Sequence, residues 1–183
     1  LAGYSDENWH IDGKITVADL GNWLPESEGS ANIQLTVSDK IKTPTIKLNG
    51  NLSNIALPGV STDSVVFSGQ YIPMESTDNA DLRAIHQLSM VINVAETLLE
   101  ELTLANTELV INADLSKQDV AINSESSKEQ LGLNLALNGF LSNEQDNWQG
   151  ELSQFKVNSP FGNWHLVNGI DADINIKEQS AKI

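Results

Sequence analysis

The chain has 183 residues and carries 25 Asp and Glu against 10 Lys and Arg, a formal net charge of −15, which opposes direct binding to nucleic-acid phosphates or anionic lipid headgroups. It contains no cysteine, and this excludes disulfides, thiol catalysis and thiolate metal sites. Its apolar runs are only a few residues long, so no transmembrane helix or signal peptide is predicted within it, and because it begins at Leu1 we expect a segment excised from a longer protein.

Apolar and polar residues alternate through most of the first half of the chain, which is the pattern of half-buried β-strands. Strands are predicted over 11–17, 31–37, 44–52, 55–57 and 65–71. Turn residues separate them, most clearly Pro58-Gly59, and Pro73 is expected to end the last of these strands.

The segment from Asp81 to Leu104 fits two patterns. Apolar residues recur at helical spacing from Leu82 onward, whereas alternation over 86–94 is typical of a strand. We favour the strand because the flanking segments are β, with a short helical turn between Ala95 and Glu100.

Strand alternation resumes with Leu102 and Leu104 and is longest between Leu131 and Leu141. Further strands are predicted over 109–115, 120–122, 148–157 and 164–176, and the polar run 124–129 is predicted to be a solvated loop. Ser159-Pro160-Phe161-Gly162 has the composition of a tight turn, since proline fixes φ and glycine tolerates positive φ.

Two short motifs recur along the chain. The nonapeptide 46–54 matches 135–143 at most positions, and Gly-Asn-Trp occurs at both 21–23 and 162–164. Recurrence of one supersecondary unit indicates stacked β-repeats. We therefore predict a single β-rich segment over 1–183 with weak repeat units at about 9–72 and 102–176.

One face of nearly every predicted strand is aliphatic, and only 5% of all residues are aromatic. Such a face must be buried against a second sheet, against itself or against a bound molecule. The predicted fold is all-β: an elongated, curved antiparallel sheet of about a dozen strands, roughly 50–60 Å long at the usual strand spacing. A closed β-sandwich or barrel with a filled core is the alternative.

A motif near the C-terminal end resembles a known family. Trp148-Gln149-Gly150, Leu152-Ser153-Gln154, Pro160, Gly162, Trp164 and Leu166 form a pattern similar to that of the TamB family of AsmA-like proteins of diderm bacteria. Where the family has a threonine and a second proline, this chain has Ser159 and Asn163. The resemblance is specific over roughly thirty residues and follows only the general pattern elsewhere.

The resemblance implies a fold, a location and partners. TamB-like proteins are anchored in the inner membrane and span the periplasm as a taco-shaped sheet with a hydrophobic groove. They are similar to bridge-like lipid carriers and work with the outer-membrane Omp85-type partner TamA. By this resemblance the chain would shield phospholipid acyl chains during transport to the outer membrane. The predicted groove lining is Ile33, Leu35, Val37, Ile46, Leu48, Leu109, Ile111, Leu131, Leu133, Leu135, Leu137, Phe155, Val157 and Ala172.

Catalytic patterns are nearly absent from the sequence. The three histidines, His10, His86 and His165, are far apart and none lies in a metal-binding motif. No nucleophile elbow, phosphate-binding loop or dinucleotide fingerprint occurs. Asp171 and Asp173 share one strand face, where solubilising charge is the simpler explanation than calcium binding or glycoside hydrolysis. We predict no enzymatic activity, no cofactor, no metal site and no nucleic-acid partner.

Three functions remain at this stage. The chain could be a lipid-conducting segment of a periplasmic bridge. It could be a scaffold or chaperone that engages outer-membrane β-barrel proteins and autotransporters by strand addition. It could also be a closed β-sandwich binding module. We prefer the first, because the aliphatic face lacks the aromatic and polar groups that ligand pockets and protein interfaces favour.

Overall fold

A computed structural model describes residues 8–40, 43–74, 85–114, 117–124, 130–141, 147–175 and 180–182. Within these ranges the chain is almost entirely extended, and its one helix is a single 3-10 turn at Leu20–Asn22. The strands are β1 Asn8–Val17, β2 Glu28–Lys40, β3 Thr45–Leu57, β4 Val60–Met74, β5 Ile85–Val94, β6 Thr97–Leu99, β7 Leu102–Leu104, β8 Thr107–Ala113, β9 Gln118–Ser124, β10 Gly132–Leu141, β11 Asn147–Ser159, β12 Gly162–His165, β13 Ile170–Asn175 and β14 Ser180–Lys182.

These fourteen strands form one open, curved antiparallel sheet. Its main path is β1-β2-β3-β4-β5-β8-β9-β10-β11-β13-β14, so neighbours along the chain are neighbours in the sheet. Each short strand continues a longer strand of this main path. β6 pairs with β4 in the same register as β5, because Val94 faces Val65 and Thr97 faces Thr62. β7 likewise continues β8, and β12 and β13 are two parts of one strand beside β11.

The predicted fold class is confirmed, with one local correction. Strand 86–94 lies within β5, as favoured, but the helical turn expected from Ala95 to Glu100 is wrong. Residues 97–99 form β6, and residues 100 and 101 make the turn to β7. A ladder with β4 outweighs the weak helix propensity of this short segment. Residues 81–84 lie outside the described ranges.

Two predicted boundaries near β9 and β10 also need correction. Ser124 was expected in a solvated loop, but it ends β9 as a buried residue whose hydroxyl donates to the Ala105 carbonyl. Residues 125–129 lie outside the described ranges. Leu131 precedes β10 and forms an isolated bridge with Leu104, so its position is set by β7 and not by the alternation of β10.

No second layer covers the sheet in the described part of the chain. Among described hydrophobic residues only Ala31 (3% exposed) and Ala105 (4%) are fully buried. The accessible surface is 12639 Å², against about 8,700 Å² expected for a compact monomer of this mass. The closed sandwich with a filled core is therefore wrong.

A β-bulge explains the loose alternation around Leu152 and Phe155. β10 pairs with β11 in one register from Gly132 to Ala136 and in a register shifted by one from Leu137 onward. The extra residue is Ser153, whose hydroxyl donates to the Ala136 carbonyl at 3.2 Å. The bulge keeps Leu152 and Phe155 on the same face although three positions separate them.

Candidate functional site

Strand register assigns the side chains to two faces of the sheet. Directly opposed residues of an antiparallel pair lie on the same face, and successive residues alternate. Following the pairs across the sheet gives continuous apolar rows perpendicular to the strands. One row is Gly13, Leu35, Leu48, Gly69, Met90, Ile111, Val120, Leu137, Leu152 and Ile170. The next is Ile15, Ile33, Gly50, Phe67, Ile92, Leu109, Ile122, Leu135 and Phe155.

These rows define the apolar face, which crosses every position of the main path from β1 to β13. Ten strands at about 4.8 Å spacing give it a length of about 43 Å. Most of its central side chains are half-buried although no second layer packs on them within the described ranges. Neighbouring side chains on this face therefore shield one another.

The structure brings the predicted lining residues together on this face, with Leu131 as the exception. Leu131 lies before β10, in the bridge to Leu104. The others share the face by register: Ile33, Leu35, Val37, Ile46, Leu48, Leu109, Ile111, Leu133, Leu135, Leu137, Phe155, Val157 and Ala172.

Two aromatic rings lie across glycines of the apolar face, a feature that the sequence analysis missed. On β3, a Cβ added to Gly50 would lie 2.4 Å from Cζ of Phe67, its direct partner on β4. The ring therefore occupies the space above the glycine. Glycine in a strand often marks such a close approach.

The second ring belongs to Trp148 on β11. It lies over Gly139 and Gly150, where an added Cβ would come within 2.3 and 2.2 Å of ring atoms. Its indole N–H donates to Oε1 of Gln118 on β9 at 3.1 Å, so the side chain spans from β11 across β10 to β9. This bond satisfies the indole on a largely apolar surface.

The internal repeat was the signal that could have located both rings. Gly50 and Gly139 occupy equivalent positions in the repeated nonapeptides 46–54 and 135–143. In each repeat the following strand supplies the aromatic side chain. Each nonapeptide thus contains a glycine that is covered by an aromatic ring from the next strand.

The opposite, polar face is held by hydrogen bonds between side chains. Thr36 on β2 donates to Oδ1 of Asp12 on β1 at 2.8 Å, and His10 Nε2 lies 2.9 Å from Oδ2. The Thr36 hydroxyl, followed by His10, holds the pKa of Asp12 below its ordinary value. These contacts tie the first two strands together.

Asp171 and Asp173 line a depression of about 550 Å³ together with Phe140 and Glu151. Because the Trp148 ring covers the glycines there on the apolar side, this depression opens on the polar face. Asp173 accepts a hydrogen bond from Gln149 at 3.1 Å. No group of three or more His, Asp or Glu side chains in the described ranges is placed to hold a metal ion.

The described residues include no helix of the length and apolarity needed to cross a bilayer. No solved structure matches the chain. A family model, TamB, N-terminal domain, matches residues 1–183 and so covers the whole sequence. A match of this extent agrees with the family-like motif on β11 to β13 and with the open, aliphatic sheet. The chain is a member of the TamB family and corresponds to its N-terminal domain.

Proposed function

We propose that this chain is a segment of an inner-membrane-anchored, periplasm-spanning protein that shields lipid acyl chains on its apolar face during phospholipid transport to the outer membrane. The family is one of transport and assembly proteins, which supports a carrier role over an enzymatic one. The full-length protein would act with the outer-membrane partner TamA.

The observation that carries this proposal is the continuity of the apolar rows from β1 to β13. Most positions of the two rows carry aliphatic side chains, with three glycines and two phenylalanines among them, and most of the central residues are only half-buried. Covering them with hydrocarbon is favourable by about 0.8 kcal/mol per buried CH₂. An acyl chain lying along a row would meet a similar surface at each step, so it could shift without large changes in energy.

Site-specific photocrosslinking tests the proposal. Leu135 lies on the apolar face between Ile122 and Phe155, whereas Asn134 lies on the polar face of the same strand. In cells that carry the parent protein, a photoreactive residue at 135 should give phospholipid adducts and the same residue at 134 should not. Equal yields at the two positions, or no lipid at either in a folded protein, would refute the lipid path.

A scaffold for outer-membrane β-proteins is the second candidate, and the outer edge of β1 favours it. In the described part of the chain β1 pairs with β2 alone, and its Ile11 and Ile15 are about half exposed. Such an edge offers backbone groups for strand addition. Crosslinking from position 15 to an unfolded β-barrel substrate, absent from position 48 within the sheet, would support this role.

A further inference from the structure

Three Asn-Gly dipeptides occur in the sequence, at 49–50, 138–139 and 168–169. An asparagine followed by glycine cyclises readily, because glycine has no side chain to shield its backbone nitrogen from the neighbouring side-chain amide. The residue before each dipeptide is aliphatic in all three cases. The three sites should therefore react at similar rates in an unfolded chain, and a difference between them in the folded chain must come from the structure.

The first two dipeptides lie inside strands that have a neighbour on each side. Asn49 and Gly50 belong to β3, between β2 and β4. Asn138 and Gly139 belong to β10, between β9 and β11. In such a strand each backbone N–H donates to one ladder or the other, and ring closure needs a ψ far from the extended range. Cyclisation at these two sites therefore requires local opening of the sheet.

The third dipeptide lies outside the ladders. β12 ends at His165 and β13 begins at Ile170, and Asn168 and Gly169 are exposed in the bend between them. Across this interruption the four residues 166–169 face three residues of β11. In the described ranges no hydrogen bond involves the Asn168 side chain or the Gly169 N–H. The bend can therefore reach the torsions that ring closure needs without opening a ladder.

We propose that Asn168 is a modification site, at which spontaneous deamidation converts the asparagine into aspartate and isoaspartate. The Gly169 nitrogen loses its proton to hydroxide and attacks the side-chain carbonyl carbon of Asn168. The carbon–nitrogen bond of the side-chain amide then breaks, and the nitrogen takes up a proton and leaves as ammonia. Water adds to either carbonyl of the resulting five-membered imide, and the ring opens to aspartate or isoaspartate.

The product adds a negative charge close to existing ones. The Glu151 carboxylate lies against Gly169, in the space that a Cβ at that position would occupy, and Asp171 faces Glu151 in the ladder between β11 and β13. The new carboxylate is repelled by this pair, most strongly at low ionic strength. Isoaspartate also lengthens the main chain by one carbon just before Ile170. Both changes weaken the pairing of β13 with β11, and neither depends on what the apolar face carries.

Peptide mapping by mass spectrometry tests the proposal on the whole 183-residue chain. The chain is incubated at a mildly alkaline pH at which circular dichroism shows it to be folded. Conversion at Asn168 should be at least about tenfold faster than at Asn49 or Asn138, because those sites react only after local opening. In concentrated urea the three rates should agree within about threefold, because unfolding removes the protection of the ladders. Amide hydrogen exchange in β13 should be faster in the modified chain.

Two variants isolate the chemistry at this bend. Gly169→Ala should slow conversion at Asn168 at least about fivefold, because a methyl group shields the attacking nitrogen, and it should leave the rates at Asn49 and Asn138 unchanged. Asn163→Gln is the matched control, since it replaces an exposed asparagine of the same connection that is followed by Trp164, and it should leave the rate at Asn168 unchanged.

Three results would overturn the assignment. They are equal rates at the three sites in the folded chain, a faster rate at Asn49 or Asn138 than at Asn168, or a rate at Asn168 that Gly169→Ala does not change. Lipid adducts at Leu135 report on the apolar face alone, so failure of the lipid path and failure of this modification would appear in different measurements.

Discussion

At the scale of single residues, the apolar face depends on glycines that make room for aromatic rings. An added Cβ at Gly139 would lie 2.3 Å from the Trp148 ring and 2.6 Å from the Gln149 carbonyl oxygen. The indole ring is held by its hydrogen bond to Gln118, and the carbonyl belongs to the β11 backbone. Neither group can therefore move away from an added Cβ without a substantial cost in free energy. Gly13, in contrast, has nothing closer than 3.8 Å to the same virtual atom.

Gly139→Ala should therefore destabilise the chain by about 1–3 kcal/mol through overpacking. Gly13→Ala should be neutral or slightly stabilising, because the added methyl group lowers the conformational entropy of the unfolded chain and meets no close contact in the folded one. Urea unfolding followed by circular dichroism measures both. Similar unfolding free energies for the two variants would mean that the Trp148 ring does not lie over Gly139.

The contact between Asp12 and Thr36 makes the β1–β2 pairing sensitive to acid. Because the pKa of Asp12 is lowered in the folded chain, the carboxylate adds stability that is complete above its unfolded pKa of about 3.9. That stability is lost as the pH falls through the lower, folded-state pKa.

Thr36→Val removes the main hydrogen-bond donor to this carboxylate and should raise the pKa of Asp12 toward its ordinary value. NMR titration of the carboxyl carbon measures it directly. Ser38→Ala is the control, since Ser38 lies on the same face of β2 but contacts Asp39. An unchanged Asp12 titration in Thr36→Val would contradict the assigned cause.

At the scale of strands, the bulge in β11 reconciles an irregular sequence with a regular surface. Leu137 faces Leu152 and Ala136 faces Gln154, so Ser153 is the one residue without a ladder partner on β10. Removing it would leave Leu152, Gln154 and Phe155 in strict alternation, with both faces unchanged.

Deletion of Ser153 should consequently be tolerated, at a cost near that of its two hydrogen bonds, about 0.5–1.5 kcal/mol each. Deletion of Ala136, directly opposite the bulge, should be far more damaging, because it turns half of β10 to the wrong face. Comparing the urea midpoints of the two deletions checks this. Equal losses would place the irregularity elsewhere in β11.

Alternation along the chain predicted the strands and their apolar face, since period two is a direct property of extended backbone. It did not decide between an open sheet and a closed sandwich, because both place the apolar residues of every strand on one face and so have the same local pattern. The segment 95–100 was misassigned because its apolar spacing suits helix and strand alike, and pairing with β4 decides between them. The rings over Gly50 and Gly139 depend on which strands are adjacent, and alternation does not contain that information.

At the scale of the whole molecule, a large accessible surface distinguishes this chain from a compact protein. The 12639 Å² surface exceeds that of a compact protein of equal mass by nearly half. Unfolding therefore exposes less new apolar surface per residue than in an ordinary domain.

The heat-capacity change of unfolding should fall below the usual 12–15 cal/mol/K or so per residue. Differential scanning calorimetry of the chain in lipid-free buffer measures it. Adding a lipid that binds the folded state should raise the midpoint in a concentration-dependent manner. A heat-capacity change within the usual range would indicate that the apolar face is covered in solution.

The order of strands in the sheet also has a consequence for how such a chain folds. Each position on the main path pairs with the segments immediately before and after it in sequence, so contacts are local and each loop closure costs little entropy. A hairpin formed anywhere supplies a template for the next, and folding can spread in both directions from several starting points. A hairpin could be duplicated or lost without changing how the remaining strands pair. The reach of the apolar face can therefore change through evolution by whole hairpins, with the strands on either side left as they were.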